Sequence, residues 1–211
     1  MIGVFGGTFD PVHFGHLRPA LELLEGLGLE EVRMIPCRRP PHRGLPQATP
    51  AQRLAMLKAG VGDTPGLRVD DRELRREGPS YMVDTLASLR GELGDTRLCL
   101  LLGMDALAGL ASWHDWRTIL ELAHLVVAHR PGWTAPEAGE IGELVRARRS
   151  DSVDALRAEA SGRILFRPVT QLEISASGIR GLLTAGRSPR FLLPDAVLAI
   201  IEREGIYRTQ D

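Results

Sequence analysis

Short, continuously apolar runs recur along the chain at residues 2–5, 32–36, 67–69, 98–102, 125–128 and 164–166. Runs of this length without polar alternation are typical of strands buried on both faces of a parallel sheet. Between them the apolar positions fall at helical spacing, over about 15–27, 50–60, 80–93, 113–122 and 136–148. Strand and helix alternating in this way predict an α/β fold, a Rossmann-like doubly wound parallel sheet with right-handed crossovers. After Ser175 the alternation gives way to two helical segments, about 176–185 and 194–204, the second opened by Pro194 and Asp195. The expected organisation is one domain over residues 1–211, with a sheet-bearing core to about residue 170 and a C-terminal helical segment from about 171.

In an open parallel sheet, ligands bind beyond the carboxyl ends of the strands, where the strand order reverses. The unusual stretches of this sequence all follow predicted strands: GGTFD at 6–10, PPHR at 40–43, GMD at 103–105 and Arg130. The Pro- and Gly-rich piece over 36–50 reads as a long loop, and a loop of that length in a compact domain is usually functional or mobile.

Composition narrows the chemistry. With 44% apolar and 25% charged residues and a net charge of −1, the chain reads as a soluble globular protein with no broad field for nucleic acid or an anionic membrane. Cys37 and Cys99 lack metal-ligand spacing, the longest apolar segment is too short to span a bilayer, and the start carries no signal-peptide pattern. The expectation is a cytoplasmic protein without a protein-bound metal cluster, and no particular oligomeric state is signalled. Lys58 is the sole lysine among 26 basic residues and asparagine is absent, a bias that fits a GC-rich genome. Phosphate clamps must then be Arg, His or backbone N–H groups, unless Lys58 serves.

The undecamer GGTFDPVHFGH over 6–16 carries the strongest signal. Gly6 and Gly7 let the backbone turn sharply and approach a ligand closely. Thr8, Phe9 and the N–H groups around them are placed to face a phosphate. Pro11 limits backward extension of the following helix, which is expected to begin near His13 or Phe14. His13 and His16 then share one face at the positive end of that helix. In isolation the pair reads equally as a surface coincidence or a weak metal site lacking a third ligand. Asp10 before Pro11 reads as a turn former rather than a metal ligand.

This undecamer resembles the (T/H)xGH motif of the nucleotidyltransferase superfamily, carried here by Thr8 and HFGH at 13–16. The rest of the chain is similar, end to end, to bacterial nicotinate-nucleotide adenylyltransferases, through PPHR at 40–43, PSYMVDTL at 79–86, LLGMDAL at 101–107, SWHDW at 112–116, HRPG at 129–132 and ISASGIR at 174–180. The resemblance implies transfer of AMP from ATP to nicotinate mononucleotide, giving nicotinate adenine dinucleotide (deamido-NAD) and pyrophosphate in NAD biosynthesis, with Mg²⁺ bound mainly through the ATP phosphates. It assigns His13 and His16 to catalysis, with His16 the stronger candidate for transition-state stabilisation. It gives Gly6, Gly7, Thr8, Phe9, Gly103, Asp105, Ser175, Ser177 and Arg180 to ATP, Asp105 toward the ribose and the 174–180 segment toward the β- and γ-phosphates. Ser175 also suits a helix N-cap on its own account. Ser177 stands where the family commonly has Thr, and Gly178 loosens the helix slightly.

For the acceptor, the resemblance gives Trp113 as the platform for the pyridine ring, with Tyr81, Met82 and Thr85 alongside and His42, Arg43 and Arg130 toward phosphate. Met82 departs from the family, which commonly has Thr there. Recognition of the nicotinate carboxylate is therefore expected to fall to backbone N–H groups or to Thr85. Three rival readings are weaker. Other transferases of the superfamily, acting on phosphopantetheine or glycerol phosphate, lack the PSY, SWHDW and late serine-rich context. A non-catalytic nucleotide sensor would not need His13, His16 and Arg180 together, and a metal-binding protein would need further ligands.

Overall fold

The computed structural model describes residues 1–41, 44–129, 132–170 and 172–208. Among these residues the strands are β1 (Ile2–Gly7), β2 (Glu31–Pro36), β3 (Leu67–Val69), β4 (Leu98–Gly103), β5 (His124–His129), β6 (Arg149–Ser150) and β7 (Ile164–Pro168). All pair in parallel in one sheet, ordered β3-β2-β1-β4-β5-β7-β6. The helices are α1 (Phe14–Leu27), α2 (Pro50–Val61), α3 (Arg72–Arg75), α4 (Met82–Leu93), α5 (Met104–Ala108), α6 (Trp116–Leu122), α7 (Gly139–Arg148), α8 (Val153–Ala158), α9 (Ala176–Thr184) and α10 (Asp195–Glu204).

The uninterrupted apolar strands follow from burial on both faces. Along β4, Leu98, Leu100 and Leu102 enter a core shared with α4, α5, α6 and α7, while Cys99 and Leu101 point into a second core shared with α1, α2, α8, α9 and α10. The C-terminal helices complete that second core, burying Ile179, Val197, Ile200 and Ile201 against the same sheet.

Every strand and helix that the apolar pattern predicts is present. The pattern missed β6, α3, α5 and α8, which at two to six residues are too short to show a period. The helix expected over 113–122 starts only at Trp116, because Asp115 before it takes a left-handed φ of 46°.

The chain leaves β1 toward β2 and β3, then resumes on the other flank of β1 with β4 and β5. That reversal sets a crevice beyond the carboxyl ends of β1 and β4. The ladders show where it opens: β1 pairs with β2 as far as Gly7 and Pro36, but with β4 only as far as Val4 and Leu100. Past that point the two central strands part, and an open cavity lies between them and α1, lined by Phe5, Gly15, Leu101, Gly103 and Leu172 among others.

Candidate active site

Side chains pack directly onto the two glycines ending β1. A Cβ on Gly7 would sit 2.9 Å from the Phe9 ring, and one on Gly6 would sit 2.5 Å from Cε of Met82. Phe9 turns back with a left-handed φ of 49° and is almost wholly buried. Its ring meets those of Phe5 and His16 edge-on, at centroid distances of 6.1 and 5.1 Å. Asp10 and Pro11 are joined by a cis peptide bond. Helix α1 begins at Phe14, as the position of Pro11 predicts, with His13 as an extended N-cap whose side chain does not cap the helix. That ring lies instead over His16, the centroids 3.8 Å apart. Gly15 makes this possible, because a Cβ there would fall 2.9 Å from the His13 ring and 3.0 Å from the carbonyl of Ile174.

Burial holds the His13 imidazole well below its usual value, at about 4, so it is neutral at physiological pH. Its Nδ1 is buried without a hydrogen-bond partner among the described residues. The fixed positive charge comes from Arg180 of α9. One of its guanidinium nitrogens donates to the backbone carbonyl of Asp10 at 2.7 Å and lies 3.8 Å from the Asp10 carboxylate. This bond brings the 174–180 segment against the front motif. Ser175 caps α9 as its residue type suggests, accepting from the Gly178 N–H at 3.0 Å, and the Ser177 hydroxyl lies 3.2 Å from it.

Asp10 forms more than a turn. Its buried carboxylate accepts from the N–H groups of Gln47 (2.9 Å) and Ala48 (3.0 Å) and from the Tyr207 hydroxyl (2.6 Å). It thereby ties the front motif to the end of the long loop and to the chain's C-terminal turn. Burial and the neighbouring carboxylate push the Tyr207 phenol far up, so it remains a donor. Arg53 of α2, fully buried, donates to the carbonyls of Thr8 (2.7 Å) and Arg38 (3.4 Å) and fixes the same turn from behind. Arg53 and Tyr207 are contributors that the sequence reading did not single out, and Gly15, quoted there only as part of the HFGH motif, had been given no role of its own.

Gly103 and Asp105 are exposed at the carboxyl end of β4, where Gly103 is the N-cap of α5. On the other flank, Tyr81 is the N-cap of α4, and its ring stacks on that of His114 at 4.2 Å. That contact joins the PSYMVDTL and SWHDW segments and sets His114, which the sequence reading quoted within its motif but gave no role, beside the half-buried Trp113. Thr85 does not offer its hydroxyl as expected. It is fully buried and donates to Glu73 of α3 at 2.6 Å. His42, Arg43 and Arg130 lie outside the described residues.

The cytidylyltransferase-like family model matches residues 4–182. A protein of Methylococcus capsulatus named probable nicotinate-nucleotide adenylyltransferase is 50% identical over 208 residues, covering 98% of this chain and 99% of its own. A protein of the same name from Aeromonas hydrophila is 49% identical, covering 98% and 97%. Among solved structures, Plasmodium falciparum nicotinic acid mononucleotide adenylyltransferase complexed with NaAD superposes with a TM-score of 0.73 over 98% of this chain and 96% of its own, at 16% identity, a likeness of fold. With this sheet, this crevice and these relatives over nearly its whole length, the chain belongs to the cytidylyltransferase-like family and, within it, to the nicotinate-nucleotide adenylyltransferases.

Proposed function

We propose that the protein transfers the adenylyl group of ATP to the phosphate of nicotinate mononucleotide, forming nicotinate adenine dinucleotide and pyrophosphate. A phosphate oxygen of the mononucleotide bonds to the α-phosphorus of ATP, and the bond from that phosphorus to the pyrophosphate oxygen breaks. The attacking phosphate is already ionised at neutral pH, so the protein supplies alignment and charge stabilisation rather than a nucleophile. The observation that carries this reading is the Arg180 bond to the Asp10 carbonyl, which sets the capped start of α9 beside the paired imidazoles of His13 and His16.

In this reading His13 and His16 hydrogen-bond the phosphates around the reacting centre, His16 chiefly in the transition state. The N–H groups of Gly7, Thr8 and Phe9 line the turn beneath them, with Gly6 keeping that backbone open. Ser175, Ser177 and Arg180 hold the leaving β- and γ-phosphates at a helix N-terminus. Gly103 and Asp105, exposed at the crevice edge, take the adenosine, with the carboxylate toward the ribose. Mg²⁺ would come with ATP, held by the nucleotide rather than by a protein cage, and would lower the charge on its phosphates. Asp10 is committed to Tyr207, Gln47 and Ala48 and is not assigned to the ion.

The pyridine ring is assigned to Trp113, with Tyr81 and Met82 beside it. Its carboxylate meets the N–H groups at the start of α4, which carry no side-chain cap among the described residues. His42, Arg43 and Arg130 remain the residues proposed to reach the mononucleotide phosphate. The test is pyrophosphate release from MgATP with nicotinate mononucleotide, nicotinamide mononucleotide and phosphopantetheine offered separately, with His16→Ala as control. Release with nicotinate mononucleotide in clear preference, abolished in the variant, is expected. Equal release with the amide removes the assignment of the carboxylate, and none with either pyridine nucleotide removes the function.

A further inference from the structure

Glu73 is a carboxylate 3% exposed, on the one-turn helix α3. Burying such a group is costly unless it is hydrogen-bonded, and its partners belong to two functional segments. The Thr85 hydroxyl of α4 donates to it at 2.6 Å, and the Ser80 hydroxyl lies close enough to favour its charged form. Ser80 in turn accepts from the N–H groups of Arg38 (2.9 Å) and Arg39 (3.3 Å), and its own N–H donates to the Arg39 carbonyl at 3.0 Å. One buried carboxylate therefore holds the first turn of α4 and the base of the 36–50 loop to a common point. Arg76 closes the arrangement from the α3 side, donating to the Tyr81 carbonyl at 3.3 Å. The residues fixed in this way are Tyr81, stacked on His114, and Met82, packed on Gly6.

We infer that Glu73 is a positioning residue for the acceptor substrate: through Thr85 and Ser80 it sets the start of α4 and the base of the 36–50 loop. The inference rests on the reading above that these two segments grip the nicotinate ring and its phosphate. Glu73 makes no hydrogen bond to the front motif or to α9 among the described residues; it reaches the ATP side only indirectly, through Met82 on Gly6 and through Arg38, whose carbonyl Arg53 shares with that of Thr8, so the larger effect falls on the acceptor. Removing the carboxylate frees the Thr85 hydroxyl and takes away the charge beside Ser80, while Gln keeps one acceptor oxygen and replaces the other with an amide.

The test is steady-state kinetics of Glu73→Ala, Glu73→Gln and Thr85→Val, varying each substrate at saturating levels of the other. Expected is a rise of about tenfold or more in KM for nicotinate mononucleotide in Glu73→Ala, with KM for ATP within about twofold of wild type. Glu73→Gln should recover part of the loss. Thr85→Val, which keeps shape and removes only the hydroxyl, should reproduce the split, and combining it with Glu73→Ala should add little. If Glu73→Ala does not fold, Thr85→Val alone decides. Unchanged KM for the mononucleotide, or both KM values rising together as for a general loss of stability, overturns the inference. A wild-type enzyme that does not use nicotinate mononucleotide at all overturns the underlying reading instead and takes the inference with it.

Discussion

Tyr207→Phe deletes one oxygen and tests whether the C-terminal turn fastens the active-site motif. The ring is buried, 8% exposed, and packs in the core beneath α1 and α10, contacts that Phe retains. What is lost is the 2.6 Å bond to the Asp10 carboxylate, whose other donors are the N–H groups of Gln47 and Ala48. A buried hydrogen bond to a carboxylate is worth about 1.5–3 kcal/mol, so a loss of about 2 kcal/mol is expected. With a urea slope of about 2 kcal/mol/M, the unfolding midpoint should fall by about 1 M at unchanged slope. Because Asp10 also seats Arg180, KM for ATP should rise a few-fold while KM for the mononucleotide stays put. A midpoint within about 0.2 M of wild type would show that Asp10 is held without Tyr207, refuting the argument.

Three further outcomes follow from the same geometry. Gly15→Ala should lower kcat at least about tenfold, because its methyl group displaces either the His13 ring or the Ile174 carbonyl; pyrophosphate release measures it. Buried His13 titrates at about 4 when folded against about 6.5 when unfolded, so folding stability is intact above that upper value and falls as pH drops below it. The loss reaches about 3 kcal/mol near pH 4, and His13→Gln should flatten that part of a denaturant-midpoint profile. His124, whose pKa burial also lowers, has an Nδ1 that accepts from the Arg163 N–H; protonation breaks this bond, so His124→Gln should flatten the same acid limb independently.

What was legible in the sequence was what local pattern encodes. Apolar runs marked strands buried on both faces, Pro11 marked the start of α1, the three-residue spacing of His13 and His16 put their rings together, and Ser175 announced a cap. What stayed hidden depends on long-range packing. Asp10 and Tyr207 are 197 residues apart, and no local signal joins them. Arg53 sits on a helix where an arginine reads as solvated, yet it is fully buried beneath Thr8. Thr85 was expected, as the alternative to backbone N–H groups, to meet the nicotinate carboxylate in place of the hydroxyl missing at Met82; its partner Glu73 lies on a helix too short to leave a periodic trace.

The most direct test of the account is the fate of the α-phosphate. The enzyme is incubated with Mg²⁺ and ATP labelled at that phosphorus, with and without nicotinate mononucleotide, and protein and nucleotide are separated after rapid quenching. In-line transfer between two bound nucleotides predicts label in nicotinate adenine dinucleotide, only when the acceptor is present, and none on the protein. Label on the protein in the absence of acceptor, or no labelled dinucleotide in its presence, would contradict a site built to align and stabilise rather than to attack.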